Sequence, residues 1–196
     1  MFFEISDRVK ELSSIALKKA ETVFGRIDEI TEYNQQKVLS AFIRNRVDET
    51  DFNTSTGYGY GDKGREKLDV LTADIFGAES AIIRSGALAS GTHTLAVCLY
   101  GILRPNDTML CVTGAPYDTL HSTIGLGGKN MGDGTLADFG VTYAQVDLTE
   151  NDELDYEAIE ECAKDKNVRM VYIQRSRGYS LRHTISIDEI SCIGNK

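Results

Sequence analysis

The segment SGALASGTHTLAV, residues 85–97, passes from an apolar run through small residues into a helix-forming stretch. Its spacing puts Ser90, Gly91 and Thr92 in the first turn of that helix, where unpaired backbone N–H groups and the positive end of the helix dipole face outward. Side chains this small let an anion reach those groups, and the two hydroxyls add donors, which is the chemistry of a phosphate cup. Close packing at a strand–helix junction uses the same residues, so the pattern alone leaves both readings open. Further on, in VTGAPYDTLHSTIG, Tyr117 follows an apolar run, at the place where open α/β sheets receive ligands. A tyrosine there either lies flat against a planar ring or anchors its own loop. IQRSRGYSLR, residues 173–182, gathers Arg175, Arg177 and Arg182 past another apolar run. Arginines collected at a strand end of an acidic chain suit a carboxylate, with surface ion pairs as the plainer alternative.

Two further stretches are glycine-rich. TGYGYGDKGR, residues 56–65, sets Tyr58 and Tyr60 among glycines that let a backbone turn tightly beside a ligand. For Asp62 and Arg65 in the same stretch, helix capping is the simpler role. GLGGKNMGDGT, residues 125–135, has no lysine followed by Ser or Thr, so it reads as a mobile loop rather than a nucleotide cradle.

Periodicity gives the helices and strands that carry these residues. ISDRVKELSSIALKKAETVF, residues 5–24, places Ile5, Val9, Leu12, Ile15 and Val23 on one helical face, and Gly25 reads as an interruption. A second helix over residues 26–47 carries Ile27, Ile30, Val38, Ala41 and Phe42. These two helices predict an arm, residues 1–50, ahead of a main domain, residues 51–196. Within the latter, REKLDVLTADIF is helical, and four short apolar runs predict strands: 80–84, 108–112, 142–146 and 169–173. Their starts lie roughly 30 residues apart, the length of a βαβ unit. Helices over 91–103, near Leu120 and over 156–164 fill the gaps. The expected fold is α/β, a mostly parallel sheet wound with helices. Asp155 caps the helix YEAIEECAK, with Leu154 and Ile159 as a hydrophobic staple; Ser186 and Glu189 form a capping box, with Ile185 and Ile190 as its staple.

Composition narrows the classes. Hydrophobic residues make up 41% and charged residues 26%, ordinary for a folded domain. No apolar run reaches the ~18 residues of a membrane span. The acidic start lacks the form of a secretory signal, so cytoplasm is the expected location. A net charge of −9 argues against nucleic acid as a partner. Cys98, Cys111, Cys162 and Cys192 form no CxxC pair and read as reduced, mostly buried thiols, while His93, His121 and His183 are scattered; no metal centre is expected.

Taken in order, EYNQQKVLSAFIRNRVD, TGYGYGDKGREKLD, SGTHTLA, LRPNDTMLCVTGAPYDTL, DFGVTYAQVDLT and VYIQRSRGYS resemble one family. It is the methionine gamma-lyase-like family often labelled aluminium resistance protein. These cystathionine beta-lyase-like enzymes of Cys/Met amino-acid metabolism depend on pyridoxal 5'-phosphate (PLP) and have the aspartate-aminotransferase-type, PLP-dependent transferase fold. The likeness spans nearly the whole chain; RSGALASGTH departs from it, because the family more usually has a glutamine shortly before SGTH.

The resemblance implies roles. Ser90, Gly91 and Thr92 would hold the PLP phosphate, and Tyr117 would stack on the pyridine ring. Tyr58 or Tyr60, with Arg65, would reach across a dimer interface to the neighbouring subunit's phosphate, so the protein is expected to be a homo-oligomer. Arg175 and Arg177 would take the carboxylate of a sulfur-containing amino acid. In the family, the Schiff-base lysine and the acid that protonates the pyridine nitrogen lie on strands downstream of IQRSRGY, past the last residue of this sequence. The expected entity is therefore the N-terminal part of a PLP-dependent carbon–sulfur lyase, an incomplete large domain that is inactive alone and has no catalytic residue of its own. Lys129 is the least implausible substitute for the missing lysine. The alternative is a non-catalytic remnant or a scaffold half that needs a separate C-terminal partner.

Overall fold

The computed structural model describes residues 3–56, 58, 61–83, 86–127 and 132–194. Its contacts divide the chain into two compact units, Met1–Ser85 and Gly86–Lys196.

The first unit opens with α1 (Asp7–Arg44), a single helix of 38 residues, about 57 Å long at 1.5 Å per residue. The expected break at Gly25 does not occur. One glycine inside a helix costs only about 1 kcal/mol, and the apolar stripe Val9, Leu12, Val23, Ile27, Ile30 keeps its phase on both sides of it. That stripe is exposed, whereas Ala41 near the end of the helix is fully buried. The helix stops in a Schellman turn: Val47 N–H donates to the Phe42 carbonyl and Arg46 N–H to that of Ile43, with Arg46 at φ 51°. A 3-10 turn (Glu49–Phe52) follows, then α2 (Lys63–Phe76). Polar contacts tie the pieces together. Arg44 and Asn45 both bond Asp74, and Lys67 Nζ donates to the Asn45 carbonyl at 2.7 Å. A side chain on Gly64 would put its Cβ 2.0 Å from the carbonyl oxygen of Asp51, so only glycine allows the 3-10 turn to lie against α2.

Residues 80–83, expected as part of the first strand, have no regular structure. The run is short, and the Ile83 N–H donates to the Asp69 carboxylate at 2.8 Å instead of to a neighbouring strand. An apolar run becomes a strand only where a partner is in reach.

The second unit is a three-layer α/β structure. Strands β1 (Thr108–Cys111), β2 (Thr142–Gln145) and β3 (Val168–Tyr172) form one parallel sheet in the order β2-β1-β3. Thr108 is in register with Thr142 on one side and with Val168 on the other. Alternation along central β1 sorts the core. Met109 joins Leu99 of α3 (Gly91–Ile102) and Leu103 just past its end with Leu120 and Ile124 of α4 (Asp118–Ile124). Leu110 and Val112 join Ile159 of α5 (Tyr156–Ala163) with Ile190 and Ile193 of α6 (Ile187–Gly194) on the opposite face. Both capping expectations hold. Asp155 accepts from Ala158 N–H at 2.9 Å, and Ser186 and Glu189 exchange backbone and side-chain bonds. The staple partners Leu154, Ile159, Ile185 and Ile190 all lie in the second cluster.

The thiols depart from expectation. All four are free, but only Cys111 is buried, while Cys98, Cys162 and Cys192 are exposed. These three lie on outward turns of α3, α5 and α6, a placement that a scattered cysteine count does not reveal.

Candidate functional site

The chain leaves β1 for β2 on one side of it, then crosses to β3 on the other. The loops after β1 and β3 therefore diverge at the carboxyl edge of the sheet, and a crevice between such loops is where parallel sheets bind ligands. Tyr117 is in the first loop and Gln174 to Tyr179 in the second, and the two are joined. Tyr117 N–H donates to Gln174 Oε1 at 2.7 Å, and the Tyr117 and Tyr179 rings lie 6.1 Å apart at 31°. A Cβ on Gly178, which sits at φ 56°, would come within 3.2 Å of Tyr117 Cε2. The neighbouring Tyr179 phenol pushes the Tyr117 hydroxyl up from its ordinary value.

The SGT turn lies beside this loop. Ser90 is the N-cap of α3, its Oγ accepting from His93 N–H at 3.1 Å, so an acceptor site of this hydroxyl serves the helix while its proton is left to donate. Thr92 Oγ1 donates to Thr119 Oγ1 at 3.3 Å, which pins the start of α3 to the first turn after Tyr117. Gly91 is exposed, and a Cβ built on it would meet nothing within 4 Å. Nothing in the described chain demands glycine there. Open space above the first turn of a helix, flanked by Ser90 and Thr92, fits the size and charge of a phosphate group.

The arginines separate into different roles. Arg182 is only 7% exposed and donates to three carbonyls: Nη2 to those of Gln174 and Ser176, and Nη1 to that of His183. It clamps the loop after β3 and is not turned toward a ligand, because burial made those carbonyls need a donor. Arg175 is exposed and bonds the Ile185 carbonyl through Nε at 2.9 Å. Arg177 is exposed, with no ion-pair partner among the described residues. In the first unit, Tyr58 is 84% exposed. Asp62 caps α2 by accepting from Arg65 N–H, also accepts from Ser55, and pairs with Arg65 Nε at 3.2 Å. Helix capping is therefore the role those two residues fill. Tyr60 and Lys129 lie outside the described residues.

The end of β2 adds a polar line. Tyr143 donates to Gln145 Oε1 at 2.6 Å, and Gln145 Nε2 donates to Asp147. Burial pushes the neighbouring Cys111 thiol up to about 11, so it stays protonated and unreactive near neutral pH. Among the described residues, no group of three or more His, Cys, Asp or Glu side chains is placed to hold a metal ion.

Sequence reasoning missed Gln174, Gly178, Tyr179 and Thr119. A signal was present for the first, a polar residue directly after an apolar strand at its carboxyl end. Its partner, Tyr117 N–H, is 57 residues away along the chain.

Comparison with known proteins agrees with this architecture. The family model for methionine gamma-lyase matches residues 9–195. A carbon-sulfur lyase involved in aluminum resistance from Clostridium novyi NT superposes with a TM-score of 0.89 at 42% identity, covering 97% of this chain and 46% of its own. A protein from Clostridium acetobutylicum, named as a candidate cystathionine beta-lyase involved in aluminum resistance, gives 0.88 at 45% identity, over 97% and 45% of the two chains. The uncharacterized protein YnbB of Bacillus subtilis (strain 168) is 43% identical over 169 residues, 86% of this chain and 39% of YnbB. The chain thus spans less than half the length of these relatives. It belongs to the methionine gamma-lyase family.

Proposed function

We propose that this chain supplies the phosphate-binding and ring-stacking part of a pyridoxal 5'-phosphate site in a carbon–sulfur lyase acting on a sulfur-containing amino acid. In this reading residues 51–196 are part of a large domain of the PLP-dependent transferase fold, and residues 1–50 are its helical arm. When bound, the coenzyme supplies the electron sink that lets a proton leave the substrate's alpha carbon. The chain's own residues bind and orient. Gly91 and Thr92 offer backbone N–H groups to the phosphate, Ser90 and Thr92 add hydroxyl donors, and Tyr117 presents a flat apolar surface to the ring. Arg177, exposed beside the same loop, is the guanidinium available to a substrate carboxylate. Tyr58 or Tyr60 reaches the neighbouring subunit's site in a homo-oligomer. In this reading the coenzyme-bearing lysine and the acid for the ring nitrogen belong to the rest of the fold, and residues 1–196 by themselves are expected to bind without turnover. The cytoplasm is the proposed location; no helix among the described residues is long and apolar enough to cross a membrane.

One observation carries this reading, the Thr92–Thr119 bond that sets the SGT turn beside the Tyr117 loop. The test is titration of the full chain with PLP, followed by absorbance, with a thiol-release assay on cystathionine and methionine. Saturable binding that Gly91→Val weakens, without thiol release, is the expected result. A lysine-linked absorbance band accompanied by thiol release overturns the claim that the chain is inactive alone, and absence of any binding overturns the site.

A further inference from the structure

We infer that Gln174 is a positioning residue: it holds Tyr117 in the orientation that presents the tyrosine ring to a planar ligand. The inference rests on the proposed coenzyme site for its ligand but not for its geometry. Tyr117 stands at the N-terminus of a seven-residue helix, without a side-chain cap of its own. Its N–H would be one of the unsatisfied donors of a helix start. Gln174 Oε1 takes that N–H at 2.7 Å.

Gln174 itself is braced on every polar atom. Its N–H donates to Thr113 Oγ1 at 3.1 Å, its Nε2 to the Ser176 carbonyl at 3.2 Å, and its carbonyl accepts from the buried Arg182 at 2.9 Å. The glutamine is therefore fixed from the end of β1, from its own loop and from Arg182, and it passes that rigidity to the Tyr117 backbone. Gly178 completes the seat, because any larger residue would meet the Tyr117 ring. A ring already held in place gives up less rotational freedom when a ligand stacks on it.

The experiment uses the full chain with Gln174→Met, which keeps volume and removes the acceptor, and Gln174→Glu, which keeps the acceptor. Amide hydrogen exchange without ligand reads the geometry. Tyr117 N–H should exchange at least tenfold faster in Q174M and return close to the wild-type rate in Q174E. Titration with PLP reads the consequence: Q174M should bind ~3- to 10-fold more weakly, the worth of one hydrogen bond, and show an altered coenzyme circular-dichroism band. Unchanged Tyr117 exchange in Q174M, or failure of Q174E to restore it, overturns the inference. Wild-type protein that fails to bind PLP while the exchange pattern holds leaves the positioning role standing and refutes the coenzyme reading instead. Exchange that changes as expected while Q174M binds PLP as wild type does shows that positioning lacks consequence, and also overturns the inference.

Discussion

The two units of this chain are held together by different physics. The second has a layered core, with Met109, Leu110, Cys111 and Val112 of the central strand region all fully buried between helices on both faces. The first buries Ala41 and Leu71 and otherwise depends on caps and charge-assisted bonds at the ends of its helices. Most of α1 leaves its apolar stripe uncovered. The unit with the thick core carries the candidate site, since a constellation such as Thr92, Tyr117 and Gln174 requires rigid support. The unit with the thin core is the one suited to contact with another surface.

Substitutions put this contrast to the test. Leu110→Ala should have the largest effect, lowering stability by about 2–5 kcal/mol in chemical denaturation, as a cavity in a packed core does; Val23→Ala on α1 should change it by less than about 0.5 kcal/mol. Equal losses at the two positions would show that α1 is as well packed as the sheet. Gly64→Ala should cost about 1–3 kcal/mol, because the new Cβ forces the Asp51 backbone away from α2. The measurable sign is loss of the Asp51–Lys67 pairing in spectra of the intact chain.

Gly25→Ala should act in the opposite direction, stabilising α1 by up to about 1 kcal/mol, read as greater helicity by circular dichroism. No gain would mean that Gly25 does work for a neighbour outside the chain. The smallest effect is a pH dependence. Bonds from the Ser186 backbone and from His183 hold the Glu189 carboxyl down to about 2. A carboxylate depressed in the folded state adds stability above its unfolded value, near 4.3, and loses it as pH falls from there toward 2. Glu189→Gln should flatten that part of the stability-versus-pH curve in thermal melts, by a small amount because the group is close to solvent.

Much of this was legible in residue order. Asp155, Ser186 and Glu189 announce helix starts because a capping side chain acts within three residues of itself; Ser90, expected in the first turn of its helix, is instead the cap just before it. The strands of the second unit stand out as apolar runs at βαβ spacing, and the motif strings that mark the family are contiguous. Where the expectations failed, the deciding partner was distant or absent. Residues 80–83 look like strand yet have no regular structure among the described residues, and Gly25 looks like a break inside a stripe that continues through it. The roles of the arginines divided only once Arg182 met the carbonyls of Gln174 and Ser176.

Local chemistry along the chain thus marked most helix starts and the three strands of the second unit, and it singled out a small-residue turn, a tyrosine loop and a set of arginines. Which of these meet is set by the packing of the fold. The order β2-β1-β3 places the loops after β1 and β3 together, and with them Tyr117 and Gln174. Caps and periodicity act over a few residues, whereas contacts at the carboxyl edge of a parallel sheet join residues that only the crossovers bring into reach.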